Sequence, residues 1–110
     1  MKVVITSIEL KDPFRFFALS YSAMKIVRQL NATKCIRFKK RGWWTKHYTM
    51  TLWETEEDMR EFATIGAHLQ AMKKAHEIAR EIRTTTLDTD TLPDWKTAIT
   101  LLEKGRVIKY

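Results

Sequence analysis

With one cysteine, Cys35, the chain cannot close an internal disulfide, and the lack of any Cys-x-x-Cys pair points to a reduced, cytoplasmic setting. Three glycines and two prolines among 110 residues exclude a collagen-like or low-complexity chain. The 45% apolar content suffices for one packed unit, so a single domain over residues 1–110 is expected. The longest uncharged stretches, Phe16 to Met24 and His47 to Trp53, fall far short of the roughly 20 apolar residues that span a bilayer, and no membrane partner is expected. Met1 to Leu10 is too short and too polar to read as a signal peptide. A Ser-His-Asp arrangement, a glycine-rich phosphate loop and zinc-ligand spacing are all missing, and no metal site is expected.

Acidic residues are missing from one long stretch. Between Pro13 and Trp53 stand nine cations (Arg15, Lys25, Arg28, Lys34, Arg37, Lys39, Lys40, Arg41, Lys46) and no carboxylate, whereas the rest of the chain carries all 13 acids. The net charge of +7 therefore belongs to one region, which would attract an anionic partner. Its densest part, Lys34 to Arg41, reads as a hairpin whose cations blunt a sheet edge. The rival reading is a binding module in which the basic hairpin 34–46 meets nucleic acid or an acidic partner, with Phe38, Trp43, Trp44 and Tyr48 interleaved for stacking. Arg41-Gly42-Trp43-Trp44 does not continue into an RNA-recognition signature, so edge protection is preferred and nucleic acid is not expected.

The β-branched run Val3 to Leu10 predicts a strand, and Asp12-Pro13 predicts the capped start of a helix with Phe16, Leu19, Ala23, Ile26, Val27 and Leu30 on its buried stripe. Thr33 to Lys40 and Trp44 to Trp53 predict a hairpin that turns around Gly42. Thr55 before Glu56, Glu57 and Asp58 predicts a capped second helix, followed by a strand over Ile82 to Leu87. A short helix between Pro93 and Gly105 and a strand Val107 to Tyr110 complete the pattern. The order is that of an α+β, ferredoxin-like β-α-β-β-α-β antiparallel sheet with helices on one face and an extra C-terminal helix and strand.

Alternation along the strands divides the hairpin into two faces. A turn at Arg41, Gly42 and Trp43 would place Arg37 opposite His47 and Cys35 opposite Thr49. Tyr48, Met50 and Leu52 would then face the helices, and Arg37, His47, Thr49, Thr51 and Trp53 would share the other face with Glu9. Two subunits that set these faces together would enclose a polar cavity, in which a histidine, an arginine and a carboxylate form a ligand site.

The segment Tyr48-Thr49-Met50-Thr51-Leu52-Trp53-Glu54, continued by Glu57, Met59, Phe62, Ala63, Gly66-Ala67-His68, Ala71 and Met72, resembles the dimeric α+β-barrel superfamily. It is most similar to the spheroidene monooxygenase-like and antibiotic biosynthesis monooxygenase-like branches. The resemblance implies a homodimeric α+β barrel and a monooxygenase-like oxidoreductase with a small-molecule ligand, and it marks His68 as the first candidate for chemistry. His68, Met72 and His76 follow at i, i+4 and i+8, which also brings haem into consideration, although Met72 stands where the haem-degrading branch has its ligating histidine. No cofactor is required by the reading adopted here, a pocket between sheet and helices in which His68 and His47 move protons. Arg37 would hold an anionic or carbonyl group, Thr49, Thr51 and Glu9 would line the site, and Trp53 and Phe17 would wall it.

Overall fold

The computed structural model describes residues 1–15, 19–21, 24, 25, 28, 35–64, 73 and 75–110. Phe17 and His68 lie outside the described residues. Five strands, β1 (Lys2–Leu10), β2 (Cys35–Trp43), β3 (Lys46–Trp53), β4 (Ala79–Asp88) and β5 (Arg106–Lys109), form one antiparallel sheet in the order β2-β3-β1-β4-β5. The helical elements are a single 3-10 turn at Pro13–Arg15, α1 (Glu56–Thr64) and α2 (Trp95–Leu102). Residues 19–21, 24, 25 and 28 are also helical, as are 73 and 75–78, so helix lies between β1 and β2 and again before β4. This is the ferredoxin-like α+β plan with an added helix and strand, as the sequence pattern predicts.

Local chemistry explains where these elements begin. The Asp12 carboxylate accepts from the Arg15 backbone N–H at 3.1 Å, which closes the turn after β1. Thr55 Oγ1 accepts from the Asp58 N–H at 3.1 Å, while Glu56, Glu57 and Asp58 place negative charge at the positive end of α1. Asp94 caps α2 by accepting from Thr97 N–H at 2.7 Å, and α2 ends before Gly105, where an added Cβ would stand 2.6 Å from the Thr84 carbonyl oxygen.

The hairpin departs from its expected register. Its loop is Trp44-Thr45, because Trp43 pairs with Lys46, and Gly42 lies inside β2 opposite His47. Arg37 therefore pairs with Leu52 and Lys40 with Thr49, and an irregularity between Cys35 and Arg37 brings Cys35 opposite Trp53. A turn centred on Gly42 assumed that glycine marks the bend. Here the bend is taken by Trp44 with φ 55°, a left-handed conformation that costs a bulky residue roughly 1–2 kcal/mol. Gly42 is needed for a different reason: a Cβ there would come within 2.1 Å of His47 Nδ1.

His47 thus changes partner from the expected Arg37 to Gly42, five positions along β2, and this slip exchanges neighbours across the whole hairpin. One face of the sheet carries Val3, Ile5, Met50 and Leu52, all buried, and packs against Ala98 and Leu102 of α2 with Tyr48, Leu87, Leu92, Trp95 and Leu101 around them. The other face carries Trp53, which packs with Phe62 of α1 beside Val4, Cys35, Phe38 and Met59. The set Tyr48, Met50 and Leu52 thus turns toward the C-terminal helix, and the Trp53 side meets α1. This reverses the expected assignment, in which the Tyr48 side met the helices that follow β1 and β3.

Candidate functional site

Starting from β3, alternate residues His47, Thr49, Thr51 and Trp53 fall on the α1 side of the sheet. The β1 partners Ile8, Thr6 and Val4 stand opposite His47, Thr49 and Thr51, and β4 contributes Thr84 and Thr86 opposite Thr6 and Val4. Five threonines on three adjacent strands therefore give this face a set of hydroxyl groups. Thr6 and Thr84 Oγ1 atoms lie 3.4 Å apart, and the Trp53 indole N–H donates to Thr51 Oγ1 at 2.8 Å. Trp53 is 1% exposed, and its ring stands 5.1 Å from that of Phe62, centroid to centroid. The packed indole thus stands beside a row of hydroxyl groups on this face.

Of the residues singled out from sequence, the sheet brings together His47, Thr49, Thr51 and Trp53. Arg37 and Glu9 are corrected to the opposite face: Arg37 stands level with Leu52, and Glu9 with Lys46 and Glu81. For Arg37 the two-residue loop is the cause, since it moves each β2 residue to a different β3 neighbour; Glu9 shares the β1 alternation of Val3 and Ile5, which face α2. A ligand against Trp53 is separated from Arg37 and Glu9 by the thickness of the sheet.

His47 has a local task. Its Nε2–H donates to the Trp44 carbonyl oxygen at 3.1 Å, and its Nδ1 side lies against Gly42. The ring thereby holds the left-handed loop residue from inside the hairpin. His76, exposed on its helix, donates from Nδ1 to the Lys73 carbonyl oxygen at 3.2 Å. Among the described residues no three His, Cys, Asp or Glu side chains converge as metal ligands. Of the three residues considered for haem, His76 is exposed and bonded to its own helix, and His68 and Met72 lie outside the described residues.

A cleft of about 230 Å³ opens on the other face, between sheet and α2, lined by Ser7, Glu9, Lys46, Tyr48, Glu81, Arg83, Ile99, Leu102 and Glu103. Glu9 lines this cleft and not the Trp53 side. Inside it Arg83 Nε donates to Glu81 Oε1 at 2.9 Å, and Arg83 also donates to the Glu103 carbonyl oxygen at 3.3 Å. The second bond ties β4 to the end of α2. Sequence reasoning missed both this cleft and Thr6, Thr84 and Thr86; the threonine run Thr84-Thr85-Thr86 was the available signal, read only as β propensity.

Cys35, half-buried at the start of β2, donates its thiol to the Arg37 carbonyl oxygen at 3.2 Å. Burial pushes this thiol's pKa up, which keeps it protonated and poorly nucleophilic. Cys35 is a packing residue in this setting.

Comparison with known proteins places the chain by its fold. No family profile and no curated relative matches the sequence. Solved structures do match. A candidate antibiotic biosynthesis monooxygenase from Deinococcus radiodurans superposes with a TM-score of 0.71 over 86% of this chain and 97% of its own, at 8% identity. A second such candidate, from Nitrosomonas europaea, gives 0.72 over 83% and 100% at 14% identity. A Mycobacterium tuberculosis protein gives 0.72 over 86% and 100% at 12% identity. The chain therefore has the ferredoxin-like α+β fold of these structures, two of which are described as candidate antibiotic biosynthesis monooxygenases. Among the described residues no helix is long and apolar enough to cross a membrane.

Proposed function

We propose that the chain is a cytoplasmic, homodimeric, monooxygenase-like protein that binds a small electron-rich organic molecule between the threonine face of its sheet and the helices that follow β1 and β3. The observation that carries this reading is the closed Trp53-Phe62 wall standing beside the Thr51 and Thr49 hydroxyls on a fold shared with antibiotic biosynthesis monooxygenase-like structures. Thr49 and Thr51 orient an oxygen of the ligand, Trp53 and Phe17 wall it, and His68 acts as the base. His47 shapes the hairpin end of the site.

The chemistry asked of such a site is proton transfer and exclusion of water. His68 takes a proton from an acidic CH₂ of the substrate, and the resulting carbanion reduces O₂ by one electron. The radical pair combines to a peroxide anion, which recovers the proton from His68. Loss of water then leaves a carbonyl, so that CH₂ and O₂ become C=O and H₂O with no other reductant.

Oxygen uptake with a panel of polycyclic phenols and keto-enols tests the proposal. Saturable uptake that falls about a hundredfold in His68→Ala supports it, within the range of general-base contributions. Uptake equal to the uncatalysed rate for every member of the panel refutes it.

A further inference from the structure

The edge of the sheet formed by β2 carries information that the Trp53 face does not use. β2 is the outermost strand and pairs only with β3, which leaves its other backbone edge without a strand partner among the described residues. Arg37, Lys39 and Arg41 occupy alternate positions along it, opposite Leu52, Met50 and Tyr48. Their neighbours across the ladder are therefore uncharged, and β3 supplies no counter-ion. Lys40 lies on the other side of the same strand, opposite Thr49. All four cations are exposed, and none forms an ion pair among the described residues.

We propose that the β2 edge is a docking site for an extended acidic peptide, which adds to the sheet as a sixth strand. Alternate residues of a strand repeat every 6.5–7 Å or so, and an added strand has the same repeat. Carboxylates at every second position of the peptide thus meet Arg37, Lys39 and Arg41 in register, while its backbone satisfies the outward N–H and C=O groups of β2. A second copy of β2 cannot take this place, because pairing two such strands sets cation against cation. Charge complementarity selects the occupant: an acidic strand relieves the crowding of like charge that the edge otherwise carries.

Fluorescence anisotropy of the full chain with two labelled peptides of equal composition separates strand addition from simple attraction. One alternates, Glu-Val-Glu-Val-Glu-Val-Glu; the other is blocked, Glu-Glu-Glu-Glu-Val-Val-Val. At physiological salt the alternating peptide is expected to bind about tenfold more tightly than the blocked one. The variant with Arg37→Glu, Lys39→Glu and Arg41→Glu is expected to lose about tenfold or more, its fold checked by circular dichroism. Amide hydrogen exchange in β2 is expected to slow on saturation with the alternating peptide, while exchange in β5 stays unchanged. Equal binding of the two peptides, tighter binding of a short oligo-thymidine than of either, or binding of neither overturns the proposal.

Discussion

The imidazole of His47 lies over Gly42 and donates to the Trp44 carbonyl oxygen at 3.1 Å, so a single side chain joins the last turn of β2 to the loop that follows it. Trp44 is 67% exposed and gains little from packing, so the left-handed turn rests on this bond and on the ladder pair Gly42 with His47. Leu10 N–H donates to the Thr45 carbonyl oxygen at 2.8 Å, which extends the same support to the end of β1.

Gly42→Ala is expected to expel the His47 ring and cost about 1–2 kcal/mol, the range for a lost hydrogen bond with local strain. His47→Ala should cost a similar amount. Because both changes break one contact, the double variant should cost clearly less than the two added together. Urea unfolding of the four proteins measures this, and strict additivity would show that the histidine does not hold the turn.

Trp53→Ala removes a side chain that is 1% exposed, against Phe62 and bonded to Thr51. A loss of about 3–5 kcal/mol is expected in denaturant unfolding. Trp53→Phe keeps the packing but not the N–H donor and should lose about 1 kcal/mol beyond its volume change. A loss below about 0.5 kcal/mol for the alanine variant would place the indole in solvent.

Asp94 has its carboxyl held below the ordinary value of 3.8, chiefly by the backbone N–H of Thr97 at the start of α2. A depressed carboxyl stabilises the fold fully above its unfolded pKa, and that contribution disappears as pH falls through the lowered folded value. Thermal midpoints of the wild type and Asp94→Ala should therefore differ at neutral pH and converge in acid. A constant difference down to the lowest measurable pH would show that charge at this cap is immaterial.

Cys35 should react slowly with iodoacetamide near neutral pH, since burial raises its pKa and its thiol is bonded to Arg37 O. Alkylation in the native protein is expected to be at least about tenfold slower than in urea. Equal rates would place the thiol in open solvent.

Homodimer formation is expected to appear in sedimentation equilibrium at micromolar concentration as twice the chain mass of 13.0 kDa. A clean monomer would remove the subunit pairing from the proposed function.

How far the sequence revealed these features depended on the kind of signal. Caps at Asp12 and Thr55 were legible, because short-range bonds that neighbouring residues decide announce them, whereas Asp94 was passed over for Pro93. Element order was legible for the same reason, and so was the fold. The hairpin register was not, because Gly42 offered the obvious bend while the real bend fell on Trp44, a residue that no turn rule favours. That one displacement separated Arg37 from His47, Thr49, Thr51 and Trp53, while Glu9 was misplaced because the inward face of β1 was read with the wrong parity. Period-two alternation finds which residues share a face along a strand, but cross-strand partners follow from the loop. Nor could alternation tell which face met which helix, since α2 comes from a distant part of the chain and covers Met50 and Leu52 only after folding.

The central claim is that the Trp53 face receives an organic ligand, and fluorescence titration tests it most directly. The panel of phenols and keto-enols used for oxygen uptake is titrated anaerobically into wild type, Trp53→Phe and Thr51→Val. The account predicts saturable quenching in wild type that is largely lost in Trp53→Phe, with binding weakened about five- to tenfold in Thr51→Val by loss of one hydrogen bond. Saturable quenching that persists unchanged in both variants, or no quenching by any member of the panel, would contradict it.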